Sequence, residues 1–577
     1  METPRERDAQ FLPIAADTSI LRSRSWGRLR FEIEYALQRG TTANSYVIQG
    51  KKTALFDPPG ESFSEIFLEA FQTRFDITAL DFIILGHVNP NRAKTLERLV
   101  ELAPKAAMIC SNPAAVSLRA LLPDLPESRI KVMRGDSTLN LGKGHRLIFT
   151  PIPTPRWPGA LATYDTKTQV LYTDKLFGAH VCGDQIFDEG WTVYSEDRRY
   201  YFDCLMAPHA RQVATVLDKL TSLPPVEFYA TGHGPIVRYG LQELTQSYQT
   251  WSENQRKQAV TVALLYASAY GNTAAIAQAL ARGMTKAGAQ VEAVNCEVAS
   301  PEEVQAILDR SAGFVIGSPT LGGHAPTQVQ TALGIILSEV PNTKLAGVFG
   351  SFGWSGEAID LLDGKLRNAG FQFGFEPIRV KFTPTEAVMK TCEEAGTDFI
   401  QAIAKQAKKA ARKAKKPIQP ATSTEQAIGR LVGAMCVLTT TRSEVSSAML
   451  ASWVSQATFS PPGLTVAVAK ERAVESLLYK GNTFALNILG EGKQFHLMKH
   501  FLKPFAPGQD RFEGVDWEPG SSGQPVLKDA IAVLECTVKN RMECGDHWLV
   551  YATAEAGSVL DGDSVTAVHH RKSGTHY

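Results

Sequence analysis

The chain has 577 residues, with 60 Lys and Arg against 59 Asp and Glu, for a net charge of +1. That balance gives no electrostatic reason to bind nucleic acid, and no apolar run approaches the ~20 residues of a membrane span. The eight cysteines are scattered without a Cys-x-x-Cys pair, which argues against a disulfide frame or zinc site and fits reduced thiols in a cytoplasm. Met1 to Gln10 is charged and has no apolar core, unlike a secretory signal. The length suggests about four domains. The pattern gives three, over 1–256, 260–402 and 425–577, with a basic linker at 403–424.

Residues 1–256 alternate strands and helices. Asn44 to Phe56 reads as a hairpin turning at Gly50-Lys51-Lys52, and Glu61 to Phe75 as a helix. Asp81 to Leu85 reads as a buried strand running into the polar loop Gly86-His87-Val88-Asn89-Pro90-Asn91-Arg92. Such loops commonly carry chemistry. Pro155-Arg156-Trp157-Pro158, Thr173-Asp174-Lys175 and Thr231-Gly232-His233-Gly234 are further loops, two of them directly after apolar stretches.

The order and setting of His87, Asp174 and His233 resemble the metallo-β-lactamase-like domain of flavodiiron proteins, an αββα sandwich. That family's first loop runs His-x-Glu-x-Asp-His, and a later His, a bridging Asp and a last His complete a two-iron site. By this resemblance His87, Asp174 and His233 are kept. Asn89 stands for the Glu, Asn91 for the Asp, Arg92 for the second His and Arg156 for the later His. Amides are poorer ligands than carboxylates for hard cations, and a guanidinium has no lone pair to offer. Unit charges roughly 5 Å apart interact by about 3 kcal/mol at an effective dielectric near 20. A stable di-iron centre is therefore not expected. An anion or an Arg–Asp salt bridge, for example with Asp174, is expected in its place. A single metal on His87, Asp174 and His233 is the alternative; metal-dependent hydrolysis is less favoured.

Trp251 to Gln258 reads as a polar linker. Beyond it, Ala259 to Tyr266 is a β-branched and aliphatic run, as a strand buried on both faces should be. It leads through Ser268-Ala269-Tyr270-Gly271-Asn272-Thr273 into a helix over Thr273 to Met284. A helix N-terminus after a hydroxyl-rich loop suits a phosphate. Two more strands follow the same plan. Ala312 to Gly317 ends in Ser318-Pro319-Thr320-Leu321-Gly322-Gly323, and Leu345 to Gly350 ends in Ser351-Phe352-Gly353-Trp354-Ser355-Gly356. Parallel strands place such loops along one crevice, where Trp354 could face a flat ring. These three loops resemble flavodoxin, a doubly wound parallel sheet whose ligand is FMN. A ligand-free doubly wound domain is the alternative.

Lys405, Lys408, Lys409, Arg412, Lys413, Lys415 and Lys416 lie among alanines before Pro417-Ile418-Gln419-Pro420, which stops any helix. A solvated helical extension is favoured over a docking patch for an acidic carrier such as ferredoxin. In 425–577, Ile428 to Thr440 reads as a helix end and strand, and Leu464 to Ala469 and Phe484 to Leu489 as strands. Many short strands with turn signals suggest a closed barrel. The polar loop Ser452-Trp453-Val454-Ser455-Gln456-Ala457-Thr458 before Pro461-Pro462, the Asn487 strand and Gly545-Asp546-His547 resemble split-barrel NAD(P)H:flavin reductases. By that resemblance Ser452 to Thr458 would line a second flavin, FMN or FAD, and His547 would sit near the nicotinamide. A surface turn is the alternative for that loop.

The three parts together resemble the flavodiiron proteins of oxygenic phototrophs, and Gly86 to Arg92 the subgroup with replaced iron ligands. The resemblance implies O₂ reduction to water with NAD(P)H or photosynthetic electrons, as photoprotection. It also implies a head-to-tail dimer, one chain's FMN beside the other's iron. This chain is then expected to donate electrons to an iron-bearing paralogue, and no catalytic residue is assigned. A regulatory or scaffold subunit and a one-metal NO or O₂ reductase are the alternatives.

Overall fold

Alternation along the first strands builds two cores at once. In a computed structural model, which describes residues 7–27, 39–135, 137–413, 422–492 and 495–571, Asp8–Ala15 (β1), Thr18–Ser25 (β2), Thr41–Gln49 (β3) and Thr53–Phe56 (β4) pair antiparallel in sequence order. Leu80–Ile84 (β5), Ala107–Cys110 (β6) and Ile130–Val132 (β7) extend this sheet in parallel. Ile20, Tyr46, Phe56, Phe82 and Ile84 point into one core; Leu21, Val47, Leu55 and Ile83 point into another, with Phe67, Phe71, Leu96 and Leu99 from helices. Strand side chains alternate faces, so each strand serves both layers.

The second sheet, Thr138–Gly142 (β8), His145–Pro151 (β9), Leu161–Asp165 (β10), Val170–Asp174 (β11) and Phe228–Thr231 (β12), supplies Leu147, Phe149, Leu161, Val170 and Tyr172 to the first core. Phe56 and Tyr172 stack there at 4.2 Å. The hairpin at Gly50 to Lys52 is present as expected. The expected helix Glu61 to Phe75 is a 3₁₀ turn, Glu61–Phe63, and a helix, Ser64–Gln72. Thr73 ends it by donating its hydroxyl to the Ala70 carbonyl. Trp251 to Arg256, expected as linker, is the last part of the helix Leu241–Arg256, where Trp251 packs on Tyr248 and Phe202.

The next layer is parallel. Val260–Tyr266 (β13), Ala289–Asn295 (β14), Gly313–Pro319 (β15), Leu345–Phe352 (β16), Gln372–Phe373 (β17) and Ile378–Lys381 (β18) form one sheet in the order β14-β13-β15-β16-β17, with β18 also on β16. This is the doubly wound order in which ligands lie beyond the strands' C-terminal ends. β15 and β16 outlast the expected strands because Ser318↔Gly350 and Pro319↔Ser351 continue the ladder. Ser318, Pro319, Ser351 and Phe352 are therefore strand residues. The helix Asn272–Lys286 follows β13 and meets the preceding layer: Gln278 donates to the Cys204 carbonyl, and Arg282 lies 3.3 Å from Cys204 Sγ.

The chain separates into two compact units, Met1–Thr383 and Pro384–Tyr577. The second unit begins with the helix Glu386–Lys413; its Lys390 Nζ reaches Ser476 Oγ at 2.6 Å. Lys415, Lys416 and Pro417 to Pro420 lie outside the described residues. A capping box on Thr422 and Glu425 starts the helix Ser423–Ile428. Seven antiparallel strands follow in the spatial order Val445–Ala451, Cys436–Arg442, Thr483–Ile488, Ala532–Cys544, His547–Val559, Pro462–Ala469, Val454–Phe459. Among the described residues no ladder joins the first and last of these. The Ser452 to Thr458 stretch, expected as a loop, is mostly the edge strand Val454–Phe459, because Val454, Ser455 and Gln456 pair with Val466, Thr465 and Leu464. No described helix is long and apolar enough to cross a membrane.

A Cβ on Gly350 would lie 2.2 Å from the Ser318 carbonyl oxygen, and neither backbone can yield without parting β15 from β16. Gly350→Ala is expected to destabilise this layer by about 2–3 kcal/mol, read as faster hydrogen exchange of β15 and β16 amides by mass spectrometry. Gly364→Ala, which meets nothing within 4 Å, should leave exchange there unchanged.

Candidate functional sites

The loops after β5, β11 and β12 converge at one edge of the sandwich. Leu161 N donates to Gly86 O at 2.8 Å, Asn44 N to Gly232 O at 2.9 Å and Gly232 N to Asp174 O at 2.6 Å. They enclose a pocket lined by Asp57, Asn89, Asn91, Arg92, Lys175 and His233. The structure thus gathers His87, Asp174 and His233, and each is hydrogen-bonded to a neighbour. His87 Nδ1 pairs with Asp174 Oδ2, and Asn89 Nδ2 sits 3.1 Å from His87 Nε2. A carboxylate only accepts and an amide nitrogen only donates, so His87 carries its proton on Nδ1. His233 Nδ1 lies 2.6 Å from the Thr42 carbonyl, and Lys175 Nζ lies 2.8 Å from His233 Nε2. The same logic puts the His233 proton on Nδ1. Among the described residues no group of three His, Cys, Asp or Glu is placed to hold a metal ion.

Arg92 bridges the buried acids. It donates to Asp57 Oδ1 at 3.2 Å, Asp174 Oδ1 at 3.3 Å and the His87 carbonyl at 3.0 Å. This is the salt bridge expected of the substituted loop. Burial pushes the Asp174 carboxyl up, but His87, Arg92 and Lys175 outweigh it and hold it below the usual range. Burial and the Asp174 charge push Asp57 up to about 7, against the pull of Arg92. Burial and the Arg92 charge bring His87 down to about 4, so its ring is neutral near pH 7.

Arg156 departs from expectation. Its guanidinium donates to Gln278 Oε1 at 3.2 Å and lies 5.4 Å over Trp157, turned toward the helix Asn272–Lys286. The second cation on the pocket wall is Lys175, 5% exposed, which the ligand pattern does not include. Asp57 is also absent from that pattern. The signals were modest: a lysine directly after the kept aspartate, and an aspartate closing a buried strand before Pro58-Pro59.

At the C-terminal ends of β13, β15 and β16 the flavodoxin-like loops form a crevice. Gly271, at φ 82°, turns the chain into the helix, and Ser268 Oγ accepts from Ala274 N at 3.0 Å. The helix begins at Asn272, so its first N–H groups face the loop. Thr273 is buried, its Oγ1 2.8 Å from Ser351 Oγ, and Ser318 is buried with its hydroxyl on the Pro319 carbonyl. These three brace the loops from inside. Leu321 and His324 exchange backbone bonds around Gly322 and Gly323, both at positive φ. The rim is apolar: Tyr270 is 79% and Trp354 91% exposed. Gly353 and Gly356 flank Trp354 on its loop. Thr320 Oγ1 is buried with no hydrogen-bond partner. An orphaned hydroxyl, two exposed aromatic rings, and the open space beside Gly271, Gly322 and Gly323 fit a flavin mononucleotide.

In the second unit, Ser452, Trp453 and His547 come together. Trp453 and His547 rings lie 5.0 Å apart, and Ser452 Oγ is 3.2 Å from His569 Nδ1. Arg571 lies 4.8 Å over Trp453. His569 and Arg571 were not anticipated, since no local pattern marks them. Val454, Ser455 and Gln456 run along the open edge, whereas Thr458 turns to Tyr551 Oη at 3.2 Å.

Comparison with known proteins gives the same division. Residues 41–234 match the ODP family beta lactamase, 264–396 flavodoxin, and 428–575 the flavin reductase like domain. Together these define a flavodiiron-type oxidoreductase class of multidomain flavoproteins. The chain is 63% identical to diflavin flavoprotein A 6 of Nostoc sp. strain PCC 7120 over all of both chains. It is 61% identical to diflavin flavoprotein A 3 of Synechocystis sp. strain PCC 6803, over 99% of this chain and 96% of that one. A metal-soaked Flv1 flavodiiron core from Synechocystis sp. PCC6803 is similar at 61% identity and a TM-score of 0.68, over 70% of this chain and all of that one. The chain belongs to the diflavin flavoprotein family.

Arg92→Ala would leave two buried carboxyls without their guanidinium. A loss of about 3 kcal/mol is expected, the low end of the range because Asp57 can take up a proton. The check is the urea midpoint of the full-length chain; Arg92→Lys should recover part of the loss, and an unchanged midpoint for Arg92→Ala would refute the assignment.

Proposed function

We propose that this protein is an FMN-dependent electron-transfer oxidoreductase that carries electrons from NAD(P)H, or from ferredoxin, toward O₂, which is reduced to water as photoprotection in a cytoplasm. An iron-bearing diflavin paralogue is the proposed partner, and the domain limits are 1–256, 260–402 and 425–577. The observation that carries this reading is the contrast within one chain. Both histidines of the former metal set present Nε2 to an N–H donor, whereas every loop of the flavodoxin-like crevice is formed.

The chain's own residues divide the work. Gly271 and the start of the helix Asn272–Lys286 would hold the phosphate, and Tyr270 and Trp354 would flank the ring. Thr273 and Ser351 brace those loops from beneath. A flavin bound there would supply one- and two-electron transfer, and hydride acceptance would fall to the flavin of the second unit. Trp453, His547, Ser452 and Arg571 would shape the second flavin site, FMN or FAD, and its nicotinamide face. Iron does not fit the sandwich pocket, because Asn89 and Lys175 donate to the two Nε2 lone pairs a metal would need.

The test mixes this chain with an iron-bearing paralogue and follows O₂ consumption. Thr273→Ala with Trp354→Ala in this chain is expected to lower bound flavin and to reduce O₂ consumption by the pair at least about tenfold, the scale of a lost positioning contact. A scaffold subunit would leave the rate untouched. Full O₂ reduction by this chain alone, with stoichiometric iron, would overturn the donor role.

A further inference from the structure

We propose that Lys175 is the residue that keeps metal out of the sandwich pocket, beyond the substitutions visible in the ligand pattern. Lys175 directly follows Asp174, whose backbone stands at φ 47°. The turn is held on both sides: Gly232 N donates to Asp174 O at 2.6 Å, Leu176 N to Thr173 O at 3.0 Å, and Tyr201 Oη to Lys175 O at 2.9 Å. The fold thereby aims the side chain along the pocket wall, where it is 5% exposed and its Nζ lies 2.8 Å from His233 Nε2.

An ammonium only donates, so it takes the Nε2 lone pair. A metal would need that same lone pair at about 2.1 Å. The two cannot share it, and the remaining charge would repel the cation. The opposite ring nitrogen offers no escape, because His233 Nδ1 faces the Thr42 carbonyl at 2.6 Å and must carry the proton. His87 is blocked by Asn89, a substitution within the pattern; His233 is blocked by a residue outside it. Reversing Asn89, Asn91, Arg92 and Arg156 would therefore leave one histidine still engaged.

The inference rests on the reading that the native chain holds no di-iron centre, and the experiment separates the two. Full-length protein is titrated anaerobically with Co²⁺ alone, read by visible ligand-field absorption and bound-metal analysis. Three chains are compared: native, Asn89→Glu/Asn91→Asp/Arg92→His/Arg156→His, and that set with Lys175→Ala. The third should bind Co²⁺ at least about ten-thousandfold more tightly than the second, since removing one unit charge at roughly 5 Å from a divalent ion at a dielectric near 20 changes affinity by about four to five powers of ten. Lys175→Ser in the same background should behave like Ala, and Lys175→Arg should stay unloaded, which guards against one variant misfolding. Tight Co²⁺ binding by the second chain would overturn the role of Lys175, as would equal weak binding by a folded third chain. Two tightly held Co²⁺ ions in the native chain would instead overturn the reading of the pocket itself.

Discussion

Hydrogen-bond polarity at two imidazoles governs what the first unit can do. His87 and His233 both place their proton on Nδ1, one toward a carboxylate and one toward a backbone carbonyl. Their Nε2 atoms then face an amide N–H and an ammonium. Each nitrogen has one lone pair in the ring plane, and each is used. The pocket keeps its framework of buried carboxylates, and Arg92 with Lys175 supplies the positive charge that buried acids require.

The same substitution pattern also ties two layers of the first unit together. Arg156 has left the pocket and donates to Gln278, on the helix whose first turn faces the flavin crevice. Gln278 in turn holds the Cys204 carbonyl, and Arg211 approaches Glu292 at 3.7 Å. Arg156 is thus part of the junction between the sandwich and the parallel sheet.

The two flavin regions are built by different means. In the first unit, parallel strands end together, and buried hydroxyls on Thr273, Ser318 and Ser351 stiffen the loops that follow. In the second, an open sheet edge and the returning C-terminal segment bring Trp453, His547, His569 and Arg571 together. The first arrangement is local to strand–loop–helix units. The second depends on residues more than a hundred positions apart.

Local patterns determined a good deal. The buried strands at Ala259, Ala312 and Leu345 stand out as aliphatic runs, and glycine with hydroxyl residues marks their ends, because a parallel strand is apolar on both faces and its loop must turn tightly. The ion pair of Arg92 with Asp174 was legible because a guanidinium only donates and seeks a carboxylate. Tertiary structure alone decided three matters. Only the ladder between β15 and β16 shows that Ser318 and Ser351 are interior strand residues. Only the pairing of Val454 with Val466 shows that a polar stretch is an edge strand. And only the meeting of β11 with β12 brings Lys175 against His233, 58 residues away, because which lone pair a buried ammonium takes depends on where the fold aims it.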